Sequence, residues 1–160
     1  MRRIVDWTAG PWASTLAAAP GGGAVAGGDR VELDDAEWKR RLSPEQYKVL
    51  RHEGTEPAFT SALNDEKRRG MFRCAGCGQA LFASDTKFDS GTGWPSFFLA
   101  LPGAVEYKRD LRLIWPRTEY HCSRCGGHQG HVFDDGPAPT GKRFCNNGVA
   151  LKFDPAAASP

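Results

Sequence analysis

The chain lacks any apolar run approaching the roughly 20 residues of a membrane-spanning helix, so no membrane role is expected. It also lacks a charge excess. Its 21 Lys and Arg against 19 Asp and Glu leave a net +2, too little to suggest a nucleic acid or an anionic surface as partner. There is no internal repeat and no sixth cysteine, and five cysteines cannot all pair internally as disulfides. A complete export signal is missing too. Arg2 and Arg3 are followed by IVDWTAGPWASTLAAA, where Asp6, Gly10 and Pro11 interrupt the apolar centre such a signal needs. The expected location is the cytoplasm, with export by an atypical N-terminal signal as the alternative.

What is present fits one soluble domain: 160 residues, 40% hydrophobic and 25% charged, enough to bury a single core. Residues 1–33 are rich in Gly and Ala and read as a flexible leader, in which Trp7 and Trp12 are unusual. The domain itself is expected over 34–154, with 155–160 (PAAASP) as a frayed tail. Asp34 or Asp35 can cap a short helix through Ala36–Leu42, with Trp38 and Leu42 on one face. Ser43, Pro44 and Gln46 make a capping box for a second helix carrying Tyr47, Val49 and Leu50, which Gly54 should stop. Residues 55–69 read as a polar connector whose Phe59 can tuck into the body.

After Gly70 the pattern becomes strand-like: MFRCAGCGQALF, TKFDS, WPSFF, AVEYKRD, LRLIWPRTEYHC, GHVFDD, KRFCNN and GVALKFD, divided by Gly, Pro and Asp turns. The expected fold is mainly β, with two packed antiparallel sheets, short N-terminal helices and a structural zinc site.

That site is read from two matched pairs. Cys74–Cys77 and Cys122–Cys125 are each CxxC followed by glycine. Two intervening residues let both thiolates turn toward one ion, and four thiolates complete a tetrahedral Zn²⁺ shell with no open position, hence a structural ion. Two redox-active disulfides, iron in the same sulfur cage, or a mixed set including His128 or His131 are the alternatives.

The fifth cysteine, Cys145, stands alone in KRFCNNG. A lone cysteine is commonly just a small buried hydrophobe. Here Arg143 and Asn147 lie two residues to either side, on its face if the segment is a strand, and a cation there favours the thiolate. His128 and His131 can supply a proton near neutrality. Each neighbour also has an ordinary reading. Arg143 can pair with Asp134 or Asp135 at the surface, Asn147–Gly148 and Asp134–Gly136 can be turns, and Trp94 can be core.

Several of these segments, taken in order, resemble the B-type methionine sulfoxide reductases: the paired CxxC motifs, FDSGTGWPSF, HQGHVFDDG and GKRFCNN, with LSPEQYKVLRHEGTE as lead-in. The resemblance covers about Trp38 to Phe153. It implies a thiol-dependent reduction of methionine-R-sulfoxide, peptide-bound and also free, in the repair of oxidised proteins. It implies Cys145 as the nucleophile that becomes a sulfenic acid, and His128 and His131 as catalytic histidines. Arg143, Asp135 and Asn147 would shape the thiolate and its hydrogen bonds. Trp94, with Phe97 beside it, would hold the substrate, and Cys74, Cys77, Cys122 and Cys125 would ligate zinc. A monomer is expected, recycled by thioredoxin or another thiol.

The chain departs from that family at two places. Many members carry a recycling cysteine where this chain has Thr92, and a serine where it has Gly148. Internal disulfide recycling is therefore not expected, and an external thiol should reduce the sulfenic acid. A zinc-ribbon-like binding module and a different thiol enzyme are the competing readings; Cys145 with Arg143 and Asn147 is what a binding module would not require.

Overall fold

The computed structural model describes residues 29–157. Trp7, Trp12, most of the expected leader and the last residues of the tail lie outside that range. The chain from 29 onward is extended along the body: Val31 N–H donates to the Arg124 carbonyl (2.8 Å), and Val31 and Leu33 pack against the core.

Two short helices follow, and each has the start that its sequence dictates. Helix α1, Asp35–Arg41, is capped by Asp34, whose side chain accepts from the Glu37 N–H. Helix α2, Pro44–His52, begins with the reciprocal Ser43–Gln46 capping box. Its end differs from expectation. The left-handed residue is Glu53 (φ 52°), with Gly54 one step beyond, its N–H donating to the Lys48 carbonyl. A non-glycine residue there is uncommon. Glu53 is held by Lys108 and Arg112, which ion-pair with its carboxylate.

Among the described residues nine strands make two antiparallel sheets. The smaller orders β2 (Ala80–Ala83), β1 (Gly70–Cys74) and β9 (Leu151–Pro155). The larger orders β3 (Lys87–Phe88), β4 (Ser96–Phe97), β8 (Arg143–Asn146), β7 (His128–Phe133), β6 (Arg117–Cys122) and β5 (Val105–Asp110). The strand expected over LRLIWPRTEYHC starts only at Arg117. Residues 111–116 are instead the loop joining β5 to β6.

The core lies between the sheets and is largely aromatic. Phe72 and Phe82 of the small sheet meet Phe97, Tyr120 and Phe144 of the large one. Phe82 and Phe97 stack with centroids 4.2 Å apart, and Phe72 meets Phe97 edge-on at 4.9 Å. Phe97 is fully buried in this contact. The expectation that it touches substrate is thereby corrected: the strand's period of two turns Phe97 inward, while Ser96 takes the other face. Phe59, expected to tuck in, is 74% exposed in left-handed backbone (φ 65°), pinned by its N–H to the Gly93 carbonyl at 2.7 Å.

Among the described residues no helix is long and apolar enough to cross a membrane. The helices instead cover one end of the sheets. Trp38 is buried beneath the Arg51 guanidinium, 4.6 Å from its ring, and Arg51 also donates to the Cys125 carbonyl at 2.9 Å.

Truncating the central aromatic should be expensive. Phe97→Ala is expected to lose about 3–5 kcal/mol, read as a lower urea midpoint at unchanged slope. A midpoint equal to that of the parent would show that the two sheets do not depend on this stack.

Candidate functional site

Two clusters of chemistry-bearing side chains emerge, one at the end of the sheets and one on the outer face of the larger sheet. The first is the four cysteines. The Cys74–Cys77 turn joins β1 to β2, and the Cys122–Cys125 turn joins β6 to β7. The two turns are built alike: Gly78 N–H donates to the Cys74 carbonyl and Gly126 N–H to the Cys122 carbonyl, both at 2.8 Å. Gly78 (φ 82°) and Gly126 (φ 73°) take the left-handed backbone that such a turn needs.

All four sulfurs lie within 4.8 Å of one another. Cys74 and Cys125 Sγ are 3.6 Å apart and Cys77 and Cys122 Sγ 3.5 Å, far beyond a disulfide bond. A tetrahedral ion with metal–sulfur bonds of about 2.3 Å requires sulfur separations of about 3.8 Å, so the cage has the size for a metal ion. Donors point at the sulfurs as well. Gly76 and Gly127 N–H reach Cys74 and Cys125 at 3.4 Å, and the Gln129 amide reaches Cys74 at 3.4 Å. The histidines take no part in this cluster.

The second cluster follows from sheet register. Ser96 on β4 pairs with Cys145 on β8, Cys145 with His131 on β7, and His131 with Glu119 on β6. Directly paired residues share a face, so these side chains form one row on the sheet face turned away from Phe97, Phe144 and Tyr120, with Ser96 and Glu119 buried within it. Arg143, two residues before Cys145, stands on the same outer face.

Arg143 does both things that its position allowed. Its guanidinium makes a bidentate pair with Asp135 (2.8 and 3.0 Å), lies 4.3 Å from the Phe133 ring centroid and reaches the Cys145 sulfur. Even so, its charge does not win. Burial pushes the Cys145 thiol above its ordinary pKa, against the pull of Arg143 and a hydrogen bond from Thr92. Thr92, at the family's recycling position, thus stands beside the sulfur with a hydroxyl. It joins a hydroxyl chain through Ser90 (2.8 Å) to Ser96 (2.7 Å).

Each histidine rests on a carboxylate that the sequence did not single out. His128 Nδ1 is 2.7 Å from Glu119 Oε1, and His121 Nδ1 is 3.0 Å from the other oxygen. Burial works against ionisation of Glu119, but the two imidazoles prevail and hold it down to about 2. An ionised carboxylate only accepts, so the Nδ1 of His128 carries hydrogen and its Nε2 faces away. That Nε2 is buried without a partner among the described residues.

His131 Nε2 lies 2.8 Å from Asp110 Oδ2. Asp110 is held down to about 2, first by the Arg112 N–H, with His131 and Arg117 adding to the effect against burial. Burial in turn lowers the pKa of His131 itself. The two imidazole centroids are 5.5 Å apart.

A third unanticipated acid ties the remaining parts together. Glu56, buried in the supposed polar connector, accepts from the Gly148 and Val149 N–H groups, and burial raises its pKa. Its carbonyl receives Trp94 Nε1 at 3.0 Å, and its N–H donates to the Asn147 side chain at 3.0 Å. Asn147 also donates to the Gln129 carbonyl at 3.0 Å, so both ends of its amide are engaged in backbone contacts. Gly148 has no room for the serine of the related pattern, because a Cβ there would run into Ser61. A groove of about 530 Å³ lies beside Trp94 and Phe59, but Cys145 is not among its lining residues.

Comparison with known proteins gives the family. A family model described as the SelR domain matches residues 42–155. The chain belongs to the SelR family. Its SelR relatives include a protein of Methanosarcina barkeri, 56% identical over 124 residues that make 77% of this chain and 87% of that one. Another, of Leptospira interrogans, is 52% identical over 77% of this chain and 95% of its own. A third, of Thiobacillus denitrificans, is 55% identical over 76% and 92%. All three carry the name peptide methionine sulfoxide reductase MsrB. Among solved structures, the Yippee-like domain of Mis18 aligns over 57% of this chain and all of its own, with a TM-score of 0.45 and 18% identity.

The two buried acids make an acid-stability signature. Asp110 and Glu119 fall from ordinary values of 3.8 and 4.5 to about 2, so each lends stability that is full above those values and fades as pH falls toward 2. The Asp110→Asn, Glu119→Gln double variant should therefore lose stability less steeply than the parent over that window in urea titrations. Proton competition at the four cysteines acts on both proteins alike, so parallel curves would count against the carboxylate assignment.

Proposed function

We propose that this SelR chain reduces methionine-R-sulfoxide in peptides and proteins to methionine, with Cys145 as the nucleophile. The observation that carries this reading is the cross-strand row on the larger sheet. It sets one cysteine between a guanidinium, a hydroxyl and an imidazole, with a second, partnerless imidazole nitrogen close by. The name shared by the relatives supports the same substrate.

The chemistry asks for those groups. A sulfoxide is polar at oxygen and apolar at its methyl group. Cys145 Sγ forms a bond to the substrate sulfur, and the oxygen must gain a proton as the sulfur–oxygen electrons localise on it. As the hydroxyl passes to Cys145, the sulfur–oxygen bond and the new Sγ–sulfur bond both break, leaving methionine and a Cys145 sulfenic acid, the thiol proton accounting for the hydrogen on oxygen. His128, fixed by Glu119, and His131, fixed by Asp110, are the groups able to hand over that proton, while Arg143 favours the thiolate as it develops. Trp94, anchored through its indole N–H, offers an apolar wall for the methyl group. Asp135 and Asn147 serve as positioning residues, for Arg143 and for the chain after Cys145. The catalytic unit is read as 34–154, a monomer working in the cytoplasm.

No other cysteine outside the metal cage is available to Cys145. Recycling is therefore assigned to thioredoxin or another external thiol, which attacks the sulfenic acid, releases water and leaves a mixed disulfide that a second thiol opens. The ion in the cage is assigned as Zn²⁺, because four thiolates suit it and close its shell. Its role is to hold the two cysteine turns together, with no part in the reaction.

Turnover of separated R and S epimers tests the proposal directly. The parent is expected to consume only the R form, and Cys145→Ser should drop that rate to background while keeping zinc and fold. Undiminished turnover in Cys145→Ser would remove the nucleophile assignment. For the metal, Cys122→Ser should fall below one zinc per chain and melt well below the parent. A fully loaded variant with the parental melting temperature would refute the structural ion.

A further inference from the structure

The loop at 111–116 presents an anomaly that the fold does not absorb. Its sequence, LRLIWP, is apolar enough to read as a strand, yet the sheet leaves it out. Leu111 is 68% exposed, Leu113 55%, Ile114 94% and Trp115 80%. These are four of the six large exposed hydrophobics among the described residues, gathered within five consecutive positions. Scattered exposed apolar residues are ordinary, whereas a concentrated patch marks a surface that something covers.

The root of this loop is fixed. Arg112 N–H donates to Asp110 Oδ1 at 3.0 Å and its guanidinium pairs with Glu53. Arg117 closes the other side on Asp110 Oδ2 at 3.1 Å, the same oxygen that meets His131. The apolar tip is thus carried on a base anchored to the candidate catalytic face. Asp110 and Arg117 pair at the end of the β5–β6 ladder, two residues from the row through Glu119, His131 and Cys145. With strands about 4.8 Å apart and about 3.3 Å per residue along them, the root lies about 12–16 Å from Cys145. An extended polypeptide covers that span in roughly four or five residues.

The geometry points to the 111–116 loop as a docking platform for the polypeptide around an oxidised methionine, gripping apolar side chains about four or five positions from the sulfoxide. This inference rests on the reductase reading and deepens it by naming the substrate class. The chemistry of the occupant follows from the damage itself. Methionine packs in cores and apolar interfaces, and oxidation makes its side chain polar and disrupts that packing. The segment that comes loose brings apolar neighbours with it. Free methionine sulfoxide is too short to reach the loop.

The test compares four R-sulfoxide substrates on the full chain: free methionine sulfoxide, a serine-flanked peptide, and peptides with an apolar triplet four to five residues before or after the sulfoxide. The parent should prefer one apolar peptide over the serine peptide by about tenfold in kcat/KM, the scale of burying one or two such side chains. Ile114→Ser with Trp115→Ser should abolish that preference and leave free methionine sulfoxide turnover unchanged. A preference that survives the double substitution overturns the proposal, as does an equal loss on the free substrate. Failure of the parent to reduce any sulfoxide would sink the reductase reading together with this one. Turnover of all four substrates without preference sinks the docking role alone. Two other occupants are separated on the same samples. If kinetics are unchanged while the variant loses a dimer by sedimentation, or newly exposes residues 1–28 to protease, the loop's cover is a second copy or the chain's own leader.

Discussion

Four sulfur atoms packed within 4.8 Å of one another are the constraint from which the rest of this structure is arranged. As thiolates they repel, and as thiols they leave backbone N–H groups aimed at weak acceptors; a bound cation resolves both. The cage sits where the turn between β1 and β2 meets the turn between β6 and β7, so it fastens the small sheet to the large one. The helices close over it through Trp38 and through Leu50, which lies against Gly127. From the cage a buried polar chain runs into the core: Gln129 to Cys74, Asn146 to Gln129 at 3.1 Å, and Tyr120 to Asn146 at 2.8 Å. Asn146 is the immediate neighbour of Cys145. The four-cysteine cage and Cys145 are separate clusters joined through this buried polar chain.

The larger sheet divides its labour by the period of two. One face presents Phe97, Phe144 and Tyr120 to the core, and the other presents Ser96, Cys145, His131 and Glu119. Beneath the imidazoles lie Glu119 and Asp110, each kept ionised by the donors around it, so each fixes which ring nitrogen bears hydrogen. Glu56 does comparable work for the indole of Trp94 and the amide of Asn147, from a segment with no regular structure of its own. Positions that touch nothing reactive therefore decide the orientation of those that do.

Much of this was legible in the sequence, for reasons that are local. The capping box of Ser43 and Gln46, the glycines that finish the cysteine turns, and the shared face of Arg143 and Cys145 all depend on residues within a few positions of one another. What was hidden depends on distant partners. Nothing near Asp110 announces His131, and nothing near Glu119 announces His128, because those pairings are made between strands. A strand's period of two puts Ser96 and Phe97 on opposite faces, but does not say which of the two faces the core. Gly54 looked like the helix stop because glycine tolerates left-handed backbone cheaply, yet Glu53 takes that geometry where two cations hold its carboxylate. The apolar run at 111–116 met every local criterion for a strand and has no strand to pair with at the sheet's end.

The burial of Cys145 has one more consequence. Burial outweighs the nearby guanidinium, so the resting sulfur is kept as a thiol. Peroxide attacks thiolates, and a protonated sulfur is a poor target for it. A protein that works where oxidants have already damaged methionine is exposed to those same oxidants. On the proposed reading, a sulfur held protonated until a sulfoxide arrives beside His128 and His131 is kept from being spent on peroxide between turnovers.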